Sequence, residues 1–127
     1  MNEPTILVAD DNAAVLALLR VGLESAGFTV ATATDGEEAA RLALELVPAA
    51  IVLDLLMPKL DGLSVLARLR GHPATRDVPV LVVTGMPGGE GARLAQAYGA
   101  AYVVPKPFRL DDVVDHVRAA LAAPAGR

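Results

Sequence analysis

Four unbroken apolar runs rich in β-branched side chains constrain this chain more than any other feature: Ile6-Leu7-Val8-Ala9, Ile51-Val52-Leu53, Val80-Leu81-Val82-Val83 and Ala101-Tyr102-Val103-Val104. Strands without polar alternation are buried on both faces, as in parallel sheets covered by helices on either side. A fifth segment, Thr29-Val30-Ala31-Thr32-Ala33, alternates small apolar with hydroxyl side chains and reads as an edge strand. Between these segments apolar residues recur at helical spacing: Val15, Leu18, Leu19 and Leu23; Ala39, Leu42, Ala43 and Leu46; Leu63, Leu66 and Leu69; Leu94, Ala95 and Tyr98; Leu110, Val113, Val114, Val117 and Leu121. Asp35-Gly36-Glu37-Glu38 supplies an N-cap with Glu at the third helical position, and Gly27, Gly71 and Gly99 fall where helices should end. Parallel neighbours need a right-handed crossover, so this alternation implies a doubly wound α/β fold.

A chain of 127 residues is long enough to bury a core without a staple. It reads as one domain, with a core of about 5–121 and residues 122–127 as a tail or the start of a linker. The absence of cysteine excludes a disulfide framework, a thiolate zinc site and a cysteine nucleophile. Eleven basic against 15 acidic residues give a net charge of -4, the wrong sign for a phosphate-backbone binder, so direct nucleic-acid contact is not expected. Met1-Asn2-Glu3-Pro4 has no basic-then-apolar pattern, and no apolar run approaches the ~20 residues that span a bilayer. A cytoplasmic location away from membranes is the expectation.

Chemistry enters where the buried runs end: Asp10-Asp11 after the first, Asp54 at the end of the third strand, Thr84 at the end of the fourth, Lys106 just beyond the fifth. In an open parallel sheet these carboxyl ends share one edge, where such folds bind ligands. Each residue alone has a plainer role. Asp11 or Asn12 could cap the helix beginning at Ala13, Asp61 suits a cap for the helix starting near Gly62, and a lone lysine is ordinarily solvated. Asp54 resists that treatment, because it joins Ile51-Val52-Leu53 directly and has no helix immediately after it to cap. Clustered carboxylates repel unless a cation offsets them. A hard divalent ion suits oxygen ligands, and Lys106 as a phosphate counter-charge with Thr84 as a donor completes a phosphoryl-transfer site with a carboxylate nucleophile. His72 and His116 are isolated in sequence, without partners at metal-ligand spacing, and are expected at the surface.

In combination these motifs strongly resemble the receiver domain of bacterial two-component response regulators: Asp10-Asp11, Asp54-Leu55-Leu56-Met57-Pro58 leading to Asp61-Gly62, Thr84, and Lys106-Pro107-Phe108. The resemblance runs from Ile6 to about Leu121. It implies a flavodoxin-like sheet of order 2-1-3-4-5 with five helices, and Asp54 as phosphoacceptor. It further implies Mg²⁺ (or Mn²⁺) held by Asp10, Asp11, Asp54 and the Leu56 backbone carbonyl, with Lys106 pairing with phosphoryl oxygens and Thr84 moving to one of them after transfer. The Lys106-Pro107 bond would be cis. Implied partners are a sensor histidine kinase or phosphotransfer protein, then a downstream protein target or a second copy at the face of helix 4, strand 5 and helix 5. Such a chain assists its own phosphorylation and dephosphorylation and is not an enzyme in the ordinary sense.

Val103 stands where the family usually has an aromatic, three residues before the lysine, and Tyr102 should point to the opposite face of its strand. Signalling through backbone and loop movement is therefore expected. Gly85 replaces a commoner Ala, and Met86-Pro87-Gly88-Gly89-Glu90-Gly91 should be a mobile loop. By the same resemblance, Leu56 and Met86 stand at the two positions that in the family flank the hydrolytic water's approach, and apolar side chains there imply slow self-dephosphorylation. Three rival readings remain. An Asp-nucleophile phosphatase needs a second Asp where Leu56 stands, a dinucleotide site needs glycines where Asp10-Asp11-Asn12 stands, and Val103 lends weight to an interaction module that keeps the fold without the phosphorylation.

Overall fold

Each apolar run becomes a strand in the computed structural model, which describes residues 4–85 and 88–122. The elements alternate as β1 (Thr5–Ala9), α1 (Ala13–Ser25), β2 (Thr29–Ala33), α2 (Gly36–Leu46), β3 (Ala50–Asp54), α3 (Gly62–Arg70), β4 (Val80–Thr84), α4 (Glu90–Ala97), β5 (Tyr102–Pro105) and α5 (Leu110–Ala122). All strand pairs are parallel, in the order β2-β1-β3-β4-β5, so the alternating segment β2 is indeed an edge. The fifth strand begins one residue later than the sequence suggests, at Tyr102. Met86, Pro87 and residues 123–127 lie outside the described residues, and with them the expectations for Met86, for most of the tail and for part of the glycine-rich loop. Glu90 and Gly91 of that loop already belong to α4.

Successive strand side chains alternate between two cores. One, around Leu7, Ile51, Leu53 and Leu66, lies under α2, α3 and α4; the other, around Ile6, Val8, Leu19 and Val117, lies under α1 and α5. Val103 packs with the first and Tyr102 with the second, as the pleat requires. Truncating a fully buried side chain such as Leu53 to Ala would cost about 2–5 kcal/mol. The helical stripes are narrower than the periodicity implies: Leu16 is buried on α1 whereas Leu18 is exposed, and Leu46, Leu94 and Tyr98 also face outward. Small residues Ala39, Ala40 and Ala43 take the sheet side of α2, letting the helix approach the strands closely.

Caps fix where the helices begin. Asn12, not Asp11, caps α1, accepting from the Ala14 and Val15 amides. Asp35 caps α2 through the Glu38 amide, while the Glu38 carboxylate reaches back to the Thr34 amide, one residue outside the usual reciprocal box. Asp61 caps α3 through the Ser64 amide. Gly27 and Gly99 adopt φ of 99° and 89° just beyond α1 and α4, where a side chain would be strained. Among the described residues no helix is long and apolar enough to cross a membrane.

Candidate functional site

Register brings the polar strand ends together. Ala9 pairs with Leu53, Asp54 with Val83 and Thr84 with Pro105, so Asp10, Asp54, Thr84 and Lys106 emerge along the same edge. Asp10 continues directly from the buried run Ile6-Leu7-Val8-Ala9, and its Oδ1 accepts from the Asn12 amide at 2.9 Å. The turn that caps α1 therefore also orients Asp10. Asp54 ends β3, with its Oδ1 accepting from the Leu56 amide at 3.3 Å. Lys106 is held by its own amide, which donates to the Thr84 carbonyl at 2.8 Å, and the adjoining Lys106–Pro107 bond is cis as expected.

Asp10, Asp54 and Thr84 are buried, Asp11 is exposed at the mouth, and Lys106 is partly buried between them. The Lys106 Nζ donates to Asp10 Oδ2 at 3.1 Å and lies 3.4 Å from Asp54 Oδ2. One ammonium thus serves two buried carboxylates, and a carboxylate oxygen from each of Asp10, Asp11 and Asp54 lies within 4.8 Å of the others. Burial pushes the Asp54 carboxyl above its ordinary range, the Asp10 charge pushes it further, and Lys106 offsets part of the rise. For Lys106, burial works against the ammonium, but the hydrogen bond to Asp10 and the charges of Asp54 and Asp10 outweigh it and hold the group above its usual value.

The donor set fits a hard divalent cation. Three carboxylates against one shared lysine leave a formal excess of negative charge, and the Asp10 charge adds to the rise that burial imposes on the Asp54 carboxyl. Oxygen donors and no sulfur select Mg²⁺ or Mn²⁺ over softer ions. Leu56, two residues beyond Asp54 and joined to it through its amide, is 77% exposed.

Every residue that the sequence singles out along this edge is therefore found there. The histidines are placed less well. His72 is exposed as expected, but His116 is partly buried, with its ring edge-on to Tyr102 at 4.5 Å and its Nδ1 2.6 Å from the Asp112 carbonyl. Because a carbonyl only accepts, Nδ1 carries the proton. Sequence reasoning also misses Gly36, Gly62 and Lys59, which bind the segment between Asp54 and α3 to its surroundings. Their signal is tertiary, since Asp35-Gly36 reads equally well as an ordinary cap.

The response regulator receiver domain family matches residues 6–118. The transcriptional regulatory protein PrrA of Mycobacterium tuberculosis is 45% identical over 121 residues, which cover 95% of this chain and 51% of PrrA. The chain spans about half the length of the curated relatives it matches. Among solved structures, the receiver domain of the Francisella response regulator 1452 is 29% identical with a TM-score of 0.87, covering 94% of this chain and 97% of that one. The receiver domain of the sensor histidine kinase PA1611 from Pseudomonas aeruginosa PAO1, with a magnesium ion coordinated in its active-site cleft, is 25% identical with a TM-score of 0.89 over 95% of this chain and 99% of that one.

Proposed function

Because this chain belongs to the response regulator receiver domain family of two-component signalling, we propose that Asp54 accepts a phosphoryl group from a sensor histidine kinase or phosphotransfer protein and that the modification switches protein contacts. The observation that carries the reading is the single Lys106 ammonium bridging the buried carboxylates of Asp10 and Asp54 at the carboxyl edge of the sheet. Asp54 Oδ attacks phosphorus in line, and the new O–P bond replaces the donor's P–N or P–O bond, whose electron pair leaves with the donor. The nucleophile must be ionised, which burial opposes and Lys106 favours. Asp10, Asp11, Asp54 and the Leu56 carbonyl would hold Mg²⁺ or Mn²⁺, which when bound supplies charge neutralisation for the equatorial phosphoryl oxygens. Lys106 contributes the protein's own positive charge to the same oxygens, and Thr84 donates its hydroxyl to one of them after transfer.

Phosphorylation adds roughly two negative charges where charge is already in excess. With Val103 in the aromatic's usual place, the change passes through Thr84 and the backbone just beyond it toward α4, β5 and α5. Leu94 of α4 and Tyr98 at its C-terminal end are exposed and suit contact with a protein target or a second copy. Exposed, apolar Leu56 cannot orient a water toward the phosphoryl group, so self-dephosphorylation is slow.

Native mass spectrometry of the wild type and Asp54→Asn, each with Mg²⁺ and a small acyl-phosphate donor, tests the reading. One phosphoryl group on the wild type and none on the variant is the expected outcome, and any shift in assembly reports the output. No addition to wild type, under conditions where Mg²⁺ binds, would favour the constitutive interaction module that Val103 also suits.

A further inference from the structure

We infer that Gly36, assisted by the Asp35–Lys59 pair, is a positioning residue for the segment 55–61 that joins β3 to α3. The inference rests on the proposed reading of Asp54 and Leu56 as phosphoacceptor and cation ligand. The first turn of α2 lies against the backbone of this segment. Gly36 donates its amide to the Pro58 carbonyl at 3.3 Å, and a Cβ at Gly36 would overlap the Leu60 carbonyl oxygen, with Leu60 Cβ only 2.7 Å away. No side chain fits there. Asp35 divides its carboxylate between two tasks: Oδ1 caps α2 and Oδ2 lies 3.5 Å from Lys59 Nζ. Lys59 sits at φ of 70°, in the left-handed region that a lysine occupies only where its surroundings impose it.

The far end of the segment is held the same way. Gly62 donates to the Leu55 carbonyl at 2.8 Å, and a Cβ on Gly62 would overlap the Asp54 carbonyl oxygen. Between these grips, Leu55 and Met57 are buried and set the depth of the segment, whereas the Leu56 side chain is 77% exposed and its peptide is held only by the long 3.3 Å bond to Asp54 and by its neighbours. The lateral position of the Leu56 peptide therefore comes from its neighbours, and Gly36 is the one that belongs to a different helix. Gly36 reaches neither carboxylate nor phosphoryl group, yet cation affinity depends on it.

The test is a MgCl₂ titration followed in amide ¹H–¹⁵N spectra, with Tm recorded for each protein. Gly36→Ala is expected to weaken Mg²⁺ binding about tenfold, the lower end of losses when groups that orient metal ligands are removed. Lys59→Gly guards against a variant that fails to fold, since glycine accepts the left-handed φ without strain. Its loss should be about twofold, as suits an exposed ion pair. Val117→Ala, in the core under α1 and α5, should lower Tm and leave the affinity unchanged. Wild-type affinity in both Gly36→Ala and Lys59→Gly, or an equal loss in Val117→Ala, would overturn the inference. A wild-type protein that binds no Mg²⁺ would instead overturn the reading of the site on which it rests.

Discussion

The two ends of the sheet handle partly buried positive charge in opposite ways. At the carboxyl end, Lys106 is shared between the carboxylates of Asp10 and Asp54, and the cluster still carries excess negative charge. At the amino end, Arg70 closes α3 by donating to three carbonyls, those of Arg76 (3.0 Å), Val78 (2.8 Å) and Gly99 (2.9 Å). Those partners are neutral dipoles that tie the segments entering β4 and β5 to one helix end. Burial pulls the Arg70 pKa down from its ordinary value, and the charge of Asp77 partly restores it. One end is finished as folded. The other gathers three carboxylates around one lysine, the kind of charge imbalance found at chemical sites.

Lys106→Met should separate the two ends most sharply. With saturating Mg²⁺, phosphorylation by a small acyl phosphate is expected to slow about a hundredfold, the usual loss when a group stabilising transition-state charge is removed. Added Mg²⁺ should restore much of the variant's Tm and none of its rate, since the ion repairs charge balance but not the contact to the phosphoryl oxygens. Arg70→Met should do the reverse, costing about 1–2 kcal/mol of stability by urea unfolding while the phosphorylation rate holds. A slowed rate in Arg70→Met would mean that the ends are mechanically coupled.

The pH dependence sharpens the comparison further. Because the Asp54 pKa is raised in the folded state, the native protein binds that proton more tightly than the unfolded chain does. Metal-free stability should therefore fall as pH rises from the ordinary carboxylate range through the raised value, and recover on acidification. Urea unfolding in a chelator should show this slope in the wild type and lose it in Asp54→Asn. The Lys106 contribution has the opposite placement, present at neutral pH and lost only as pH climbs past the ordinary lysine range through its raised value. The smallest effect is expected at Leu56: Leu56→Asn should shorten the phosphoryl lifetime about threefold, well under 1 kcal/mol in barrier.

Legibility in the sequence divides along similar lines. Asp10, Asp54, Thr84 and Lys106 could be read as one edge because each ends an unbroken apolar run, and parallel strands place such ends together. The choice between Asp11 and Asn12 as cap was open, since both types cap well and local geometry decides. Leu18 and Leu46 share the period of the core face but sit at its margin, where no neighbouring helix covers them, and periodicity does not report neighbours. Arg70, Gly36 and the Tyr102–His116 contact depend on which loops and helices meet after folding, so spacing along the chain held no trace of them.

The hydrogen bond from Lys106 to Asp10 joins positions 96 residues apart. While this chain is being synthesised, the acidic pair and Asp54 emerge long before the lysine that tempers them, and no length short of Lys106 can assemble the shared ion pair. Contacts this distant in sequence demand a large loop-closure entropy before they return any stabilisation. The two carboxylates therefore gain their shared counter-charge only once β5 and the residue beyond it have joined the sheet.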